Sequence, residues 1–151
     1  MLAMPAMPAM LRKTVIVDTN ALLIPGKFGV DIFEELGCLG YEHIIVPKEV
    51  LKELEGLRQR LGLKGKDKRA AKIGYSLVLM HMDATKQEPG RCKVTITEEG
   101  GGRYADEIIA DLALKKKAAV LTNDEPLKRK LSKAGIVTVY LRGNIRLEEN
   151  R

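Results

Sequence analysis

The sequence predicts an α/β fold with a mainly parallel sheet, and three observations carry that expectation. Five short runs rich in β-branched and apolar residues recur along the chain; segments with helical spacing separate them; and strict alternation of strand with helix is the pattern of a parallel sheet covered by helices. A chain of 151 residues, 45% hydrophobic and 30% charged, is the size of one domain with a sizeable core. That composition excludes a disordered chain, and no window supplies the roughly 20 nearly uninterrupted apolar residues of a membrane span.

The elements follow in order. The first ten residues, MLAMPAMPAM, repeat a Met-Pro-Ala unit and lack the basic start and continuous apolar run of an export signal, so they are set aside as a leader, with Met10 an alternative start. The domain is expected over 11–151. Strands are expected at KTVIVD (13–18), HIIV (43–46), CKVTI (92–96), AAVLT (118–122) and IVTVYL (136–141). Helical spacing covers 28–37, 47–61, 66–83, 104–117 and 125–134. Pro47 directly follows a strand and suits a first helical turn, where a missing N–H is tolerated. Gly100, Gly101 and Gly102 supply a turn before the fourth helix, and Gly135 is placed to end the fifth.

A formal charge of +6 favours a polyanionic partner without naming one, since many basic surfaces serve only solubility. The densest basic stretch runs through Arg58, Arg60, Lys64, Lys66, Lys68, Arg69 and Lys72, with a second at Lys128, Arg129 and Lys130. Cys38 and Cys92 stand apart with no neighbouring His or Cys at metal-ligand spacing, which fits a reducing, cytoplasmic setting and argues against zinc. His43 and His81 are isolated and read as packing or surface residues.

The chemistry-bearing residues are carboxylates. Asp18 ends one apolar strand and Asp124 lies just past another, so a parallel sheet puts both at the carboxyl edge where open α/β folds build their sites. Each equally suits a turn or an N-cap, Asp124 above all because Glu125 and Pro126 open a helix behind it. On the helix after Pro47, Val50, Leu54, Leu57 and Leu61 form the apolar stripe; Glu53 borders it on one side and Glu55 on the other, and spacing alone does not choose between them. Asp106 lies at the margin of the stripe formed by Ala105, Ile108, Ile109 and Leu112, where the helix dipole alone also favours an acid. Carboxylates gathered at one edge repel one another unless a cation offsets them. Oxygen donors without clustered His or Cys suit Mg2+ or Mn2+.

At these residues the sequence resembles the PIN-domain nucleases, from Lys13 to about Leu147, through VDTN (17–20), VLKEL (50–54), YADEII (104–109) and LTNDEPLKRKL (121–131). RYADEII, TNDEPLKRKL and VTVYLRGN are most similar to the ribosomal-RNA-processing PIN proteins of archaea and eukaryotes, and less to the toxin nucleases of toxin-antitoxin pairs. The resemblance implies a three-layer α/β/α sandwich around a five-stranded, mainly parallel sheet. It implies an acidic quartet of Asp18, Glu53, Asp106 and Asp124, with Asn20 and Thr122 in support and Asp18, Asp106 and Asp124 as metal ligands.

The expected activity is a Mg2+- or Mn2+-dependent endoribonuclease acting on single-stranded RNA, with ribosomal precursor RNA as the candidate substrate. Arg58, Arg60, Lys64, Lys66, Lys68, Arg69, Lys128 and Arg129 would hold the RNA backbone, giving salt-sensitive affinity. With no Trp, two Phe and four Tyr, a base-stacking platform is not expected. A homodimer is a further expectation, and an antitoxin a less favoured partner. Three competing readings are a non-catalytic RNA-binding assembly factor, a toxin nuclease neutralised by a small antitoxin, and an aspartyl phosphatase; DTN lacks the second Asp that the last wants.

Overall fold

A computed structural model describes residues 13–60, 65–82, 92–98 and 104–150. The leader, Lys64 and the Gly100–Gly102 turn lie outside the described residues. The elements are β1 (Thr14–Val17), α1 (Thr19–Leu22), α2 (Ile24–Phe28), α3 (Ile32–Cys38), β2 (His43–Pro47), α4 (Lys48–Gln59), α5 (Gly65–Met82), β3 (Lys93–Thr97), α6 (Ala105–Lys116), β4 (Ala119–Leu121), α7 (Glu125–Lys133), β5 (Thr138–Arg142) and β6 (Arg146–Asn150).

The sheet has six strands in the order β3-β2-β1-β4-β5-β6, the first five parallel and β6 antiparallel to β5. The expectation of five strands is therefore corrected by one. RLEEN was too polar to read as a strand, yet an edge strand needs only one buried side chain to anchor it. Leu147 supplies that anchor, and the charged Arg146, Glu148 and Glu149 suit an edge that must not pair further. Gly143 and Asn144 both adopt positive φ (63° and 56°), the conformation that a tight hairpin connection demands.

β1 lies at the centre because it is the most apolar run, and Val15, Ile16 and Val17 are wholly buried. From β1 the chain first builds outward through β2 and β3, then returns to build β4 and β5 on the other side. Right-handed crossovers place the two sets of connections on opposite faces of the sheet. α6 packs on β1, β2 and β4, α7 on β5, α4 on β2 and α5 on β3. The reversal between β1 and β4 leaves a crevice at their carboxyl ends.

Helix boundaries follow local chemistry. Pro47 is the last residue of β2 and the N-cap of α4, so the helix starts one residue later than its proline. Gly135 takes φ 78° just past the α7 C-cap, as expected of a terminating glycine. The short α1 and α2 were not legible by periodicity, having too few residues to show one; Pro25 opens α2 and left-handed Gly29 closes it.

Close approach of helices fixes α1 beneath α5. A β-carbon on Gly74 would lie 2.2 Å from the Leu22 carbonyl oxygen, and one on Gly26 would lie 2.5 Å from Ala70 Cα. Both partners are backbone and cannot swing aside. Gly74→Ala is accordingly expected to cost roughly 1–3 kcal/mol by overpacking, seen as a fall of several degrees in melting temperature. A change of under about 1 °C would show that the helices can part freely.

Candidate active site

The register of the central strands builds the site. Val17 pairs with Leu121, and the Asp18 N–H donates to the Leu121 carbonyl at 3.0 Å, which brings Asp18 and Thr122 side by side at the carboxyl edge. Asp18 is 5% exposed, and its Oδ1 accepts from the Thr19 N–H (2.7 Å) while Oδ2 accepts from Thr122 Oγ1 (2.8 Å). Thr122 is itself fully buried and accepts the Asp124 N–H at 3.1 Å. One hydroxyl thus joins the ends of β1 and β4.

Burial pushes the Asp18 carboxyl up to about 6 from its usual 3.8, against the hydrogen bonds from Thr122 and Thr19; the negative charges of Asp106 and Glu53 raise it further. These three carboxylates therefore share one electrostatic neighbourhood. Glu53 Oε2 accepts from Thr19 Oγ1 at 2.7 Å, while Glu55 is taken by Arg58 (2.6 Å) and Gln59 (2.8 Å), and Glu49 by Lys52. The choice that helical spacing left open falls to Glu53. Asp106 is exposed in the first turn of α6, where Tyr104 provides no side-chain cap.

Asp124 has two attachments. Its Oδ1 accepts from the Leu127 N–H (3.0 Å) as the N-cap of α7, so the capping alternative is realised, and its own N–H ties it to Thr122. The charges that act on Asp18 are those of Asp106 and Glu53; Asp124 joins the cluster through the shared threonine. Asn20 Oδ1 accepts from the Asn123 N–H (3.1 Å), bracing α1 against the loop after β4, and Asn123 Oδ1 in turn accepts from the Leu141 N–H. Thr19 and Asn123 are structural partners that sequence reasoning did not single out. VDTN and LTND do contain them, but their acceptors lie on other elements and leave no local signal.

The basic residues separate into two groups. Arg58 is held by Glu55 and lies over the Tyr75 ring, and Lys128 is held by Glu125 and lies over Tyr140. Arg60 lines a groove of about 440 Å³ with Thr19, Glu53, Gly56 and Leu57. Lys66, Arg69 and Arg129 are exposed and Lys68 is half-buried. His43 bonds Thr95, and His81 bonds the Leu77 carbonyl and stacks on Phe33, so both histidines serve packing.

Among the described residues no three Asp, Glu, His or Cys side chains are drawn into metal-ligating geometry. The donor set nevertheless fits a hard cation. It is made of carboxylate oxygens, its buried member resists ionisation, and the exposed Glu53 and Asp106 can adjust toward a shared charge.

Because the folded-state pKa of Asp18 lies above the ordinary value, the folded protein takes up this proton before the unfolded chain does. In chelator, stability from this group is expected to rise as pH falls from about 6 to 4 and to be lost as pH rises through 6, by about 3 kcal/mol. Asp18→Asn should remove that slope and leave the neutral-pH melting temperature no lower than the parent's. A fall of several degrees would mean that capping of α1 outweighs charge relief. Thr122→Val removes a buried donor and is expected to cost about 1–3 kcal/mol.

Comparisons place this architecture. A family model described as a PIN like domain matches residues 15–144. Ribonuclease VapC9 of Archaeoglobus fulgidus is 30% identical over 135 residues, 89% of this chain and 87% of that protein. The PIN domain endonuclease Utp24 superposes with a TM-score of 0.63 at 26% identity, covering 93% of this chain and 92% of that one. A domain of a functionally unknown protein from Methanocaldococcus jannaschii shares the fold, with a TM-score of 0.58 at 22% identity over 87% and 92%. With its central reversal, its carboxylates at the β1–β4 edge and these matches, the chain belongs to the PIN-domain family.

Proposed function

We propose that this protein is an endoribonuclease that hydrolyses phosphodiester bonds of single-stranded RNA with Mg2+ or Mn2+. The observation that carries this reading is the buried Asp18 carboxylate at the sheet reversal, beside the charges of Glu53 and Asp106. Such an arrangement is unfavourable in an isolated protein and favourable once a cation sits among the acids. The ribonuclease relative and the endonuclease-like fold support the same chemistry.

Asp18, Asp106 and Asp124 would hold the ion, directly or through water, and Glu53 would complete the site. When bound, the ion supplies a Lewis acid for phosphate oxygens and lowers the pKa of water. The chain's own residues do the positioning. Thr19 fixes Glu53, Thr122 fixes Asp18 and the Asp124 backbone, and Asn20 fixes the loop that carries them. Both histidines are engaged elsewhere, His43 by Thr95 and His81 by the Leu77 carbonyl, which speaks against their acting as an acid–base pair. Arg60 and the exposed Lys66 and Arg69 supply positive charge for the RNA backbone.

The similarity of RYADEII and TNDEPLKRKL to ribosomal-RNA-processing proteins supports a precursor RNA as substrate. A second reading, a toxin-type nuclease held by a small antitoxin, draws on the relative named Ribonuclease VapC9. Two free thiols support a reducing, cytoplasmic setting.

A labelled single-stranded RNA is expected to be cut with Mn2+ and left intact in EDTA, with Asp18→Asn and Asp124→Asn slowed by at least about 100-fold, the scale of losing one charge-stabilising group. Mn2+ should also raise the melting temperature of the parent and not of Asp18→Asn. Undiminished cutting in EDTA and in both variants would remove the metal mechanism, and RNA binding without cutting would promote the assembly-factor reading.

A further inference from the structure

Three glycines sit inside helices that touch the site region, and two of them have a packing reason. Gly26 and Gly74 admit backbone from a neighbouring helix at distances no side chain would allow. Gly56, in the interior of α4, is different: a β-carbon there would meet nothing within 4 Å. A glycine in a helix interior weakens it relative to alanine, and among the described residues no close approach to Gly56 repays this one. What Gly56 leaves open is the floor of the groove between Glu53 and Arg60.

That groove has a definite chemical order. Glu53, held by Thr19, stands at the end nearest the acids; Gly56 and half-buried Leu57 form the middle; Arg60, the α4 C-cap, stands at the far end. Glu53 and Arg60 are about two helical turns apart, roughly 10 Å along the axis. Arg58 on the same helix is already engaged by Glu55 and Tyr75, whereas among the described residues Arg60 has no carboxylate partner. At about 440 Å³ the groove is at the small end of ligand sites, which run roughly 300–1,000 Å³. That volume suits one nucleotide unit.

We infer that this groove is a subsite for the nucleotide next to the scissile phosphate: the strand crosses α4 over the bare Gly56 backbone, its ribose and base edge lie against Leu57, and its next phosphate meets the Arg60 guanidinium. The inference rests on the nuclease reading for its substrate class and adds a direction and a minimum length. Arg60 is the cationic group among the described residues that line the groove, so an anion is favoured at its end. Among the described residues the groove has an aliphatic wall and no aromatic one, so these favour no particular base. Lys66 and Arg69, exposed in the first turns of α5, supply further positive charge for a longer strand.

The test is the length dependence of RNA affinity and cleavage, measured with the full chain on a series of fluorescent oligoribonucleotides lengthened one nucleotide at a time. Anisotropy in EDTA reads binding, and gel analysis with Mn2+ reads cleavage. The parent should gain about tenfold in affinity on adding the nucleotide that reaches Arg60, the ratio expected of one charge-assisted hydrogen bond. Arg60→Ala and Gly56→Phe should each lose that gain, Gly56→Ala should lose less of it, and Lys133→Ala, with the same charge change at the far end of α7, should keep it. The melting temperature of Gly56→Ala should be no lower than the parent's, because the added β-carbon meets open space, and that of Gly56→Phe is measured beside it. A stepwise affinity gain that both Arg60→Ala and Gly56→Phe abolish, without any cutting, would retain the subsite and overturn the nuclease reading. Cutting whose length dependence is the same in parent and variants, or a parent that shows no such step, would overturn the subsite.

Discussion

The structure depends on one buried carboxylate. Asp18 is placed where the sheet reverses direction, and it cannot move without breaking the β1–β4 register, because its own N–H completes that ladder at Leu121. An ionised carboxyl with so little solvent needs hydrogen bonds, and it receives one from the Thr19 backbone and one from Thr122. These bonds lower the cost without removing it, since burial and two neighbouring acids still hold the group near pKa 6. The fold tolerates this because Val15, Ile16 and Val17 of β1 are wholly buried, and such apolar residues offset a local penalty of a few kcal/mol.

Around this fixed point the other acids have graded freedom. Glu53 is anchored at one oxygen by Thr19, Asp124 is committed at one oxygen to the α7 N-terminus, and Asp106 stands exposed on α6. Two threonines set the geometry: Thr122 couples β1 to the loop after β4, and Thr19 couples α1 to α4. α1 in turn is pinned from below by Gly74 of α5 meeting the Leu22 carbonyl. A site built from side chains on β1, α1, α4, α6 and the β4–α7 loop thus gains its rigidity from hydroxyls and close backbone contact, and its adaptability from the two exposed acids.

The sequence made the strand and helix alternation legible because five apolar runs alternate with five amphipathic segments, each long enough to display its period. It concealed α1 and α2, which are too short to show a period, and β6, whose single buried residue Leu147 sits among charges. The four acids could be named from strand ends, helix margins and motif order. Their different roles could not. That Asp18 would be buried and Asp106 exposed depends on how α6 lies over β1, β2 and β4, a tertiary relation absent from either segment. Thr19 was hidden because its partner Glu53 is 34 residues away, and Gly56 because a glycine's reason lies in what does or does not approach it. Of the basic residues, composition could count Arg58, Arg60 and Lys128 but could not tell that Glu55 and Glu125 already hold two of them.

The two abilities of the acidic cluster, to strain the fold and to receive a cation, are the same property seen in different states. Near neutral pH the folded chain holds Asp18 charged against burial and against Asp106 and Glu53. A proton relieves that repulsion, and a divalent ion in the proposed site would do the same, so the two would compete for one carboxylate and affinity for the ion would weaken as pH falls through about 6. The hydrogen bond from Thr122 would shift such a competition toward the ion, because it stabilises the charged form and lowers the pKa that burial has raised. The buried threonine, wholly out of solvent at the end of β4, thus acts on the charge state of Asp18 as well as on the shape of the site.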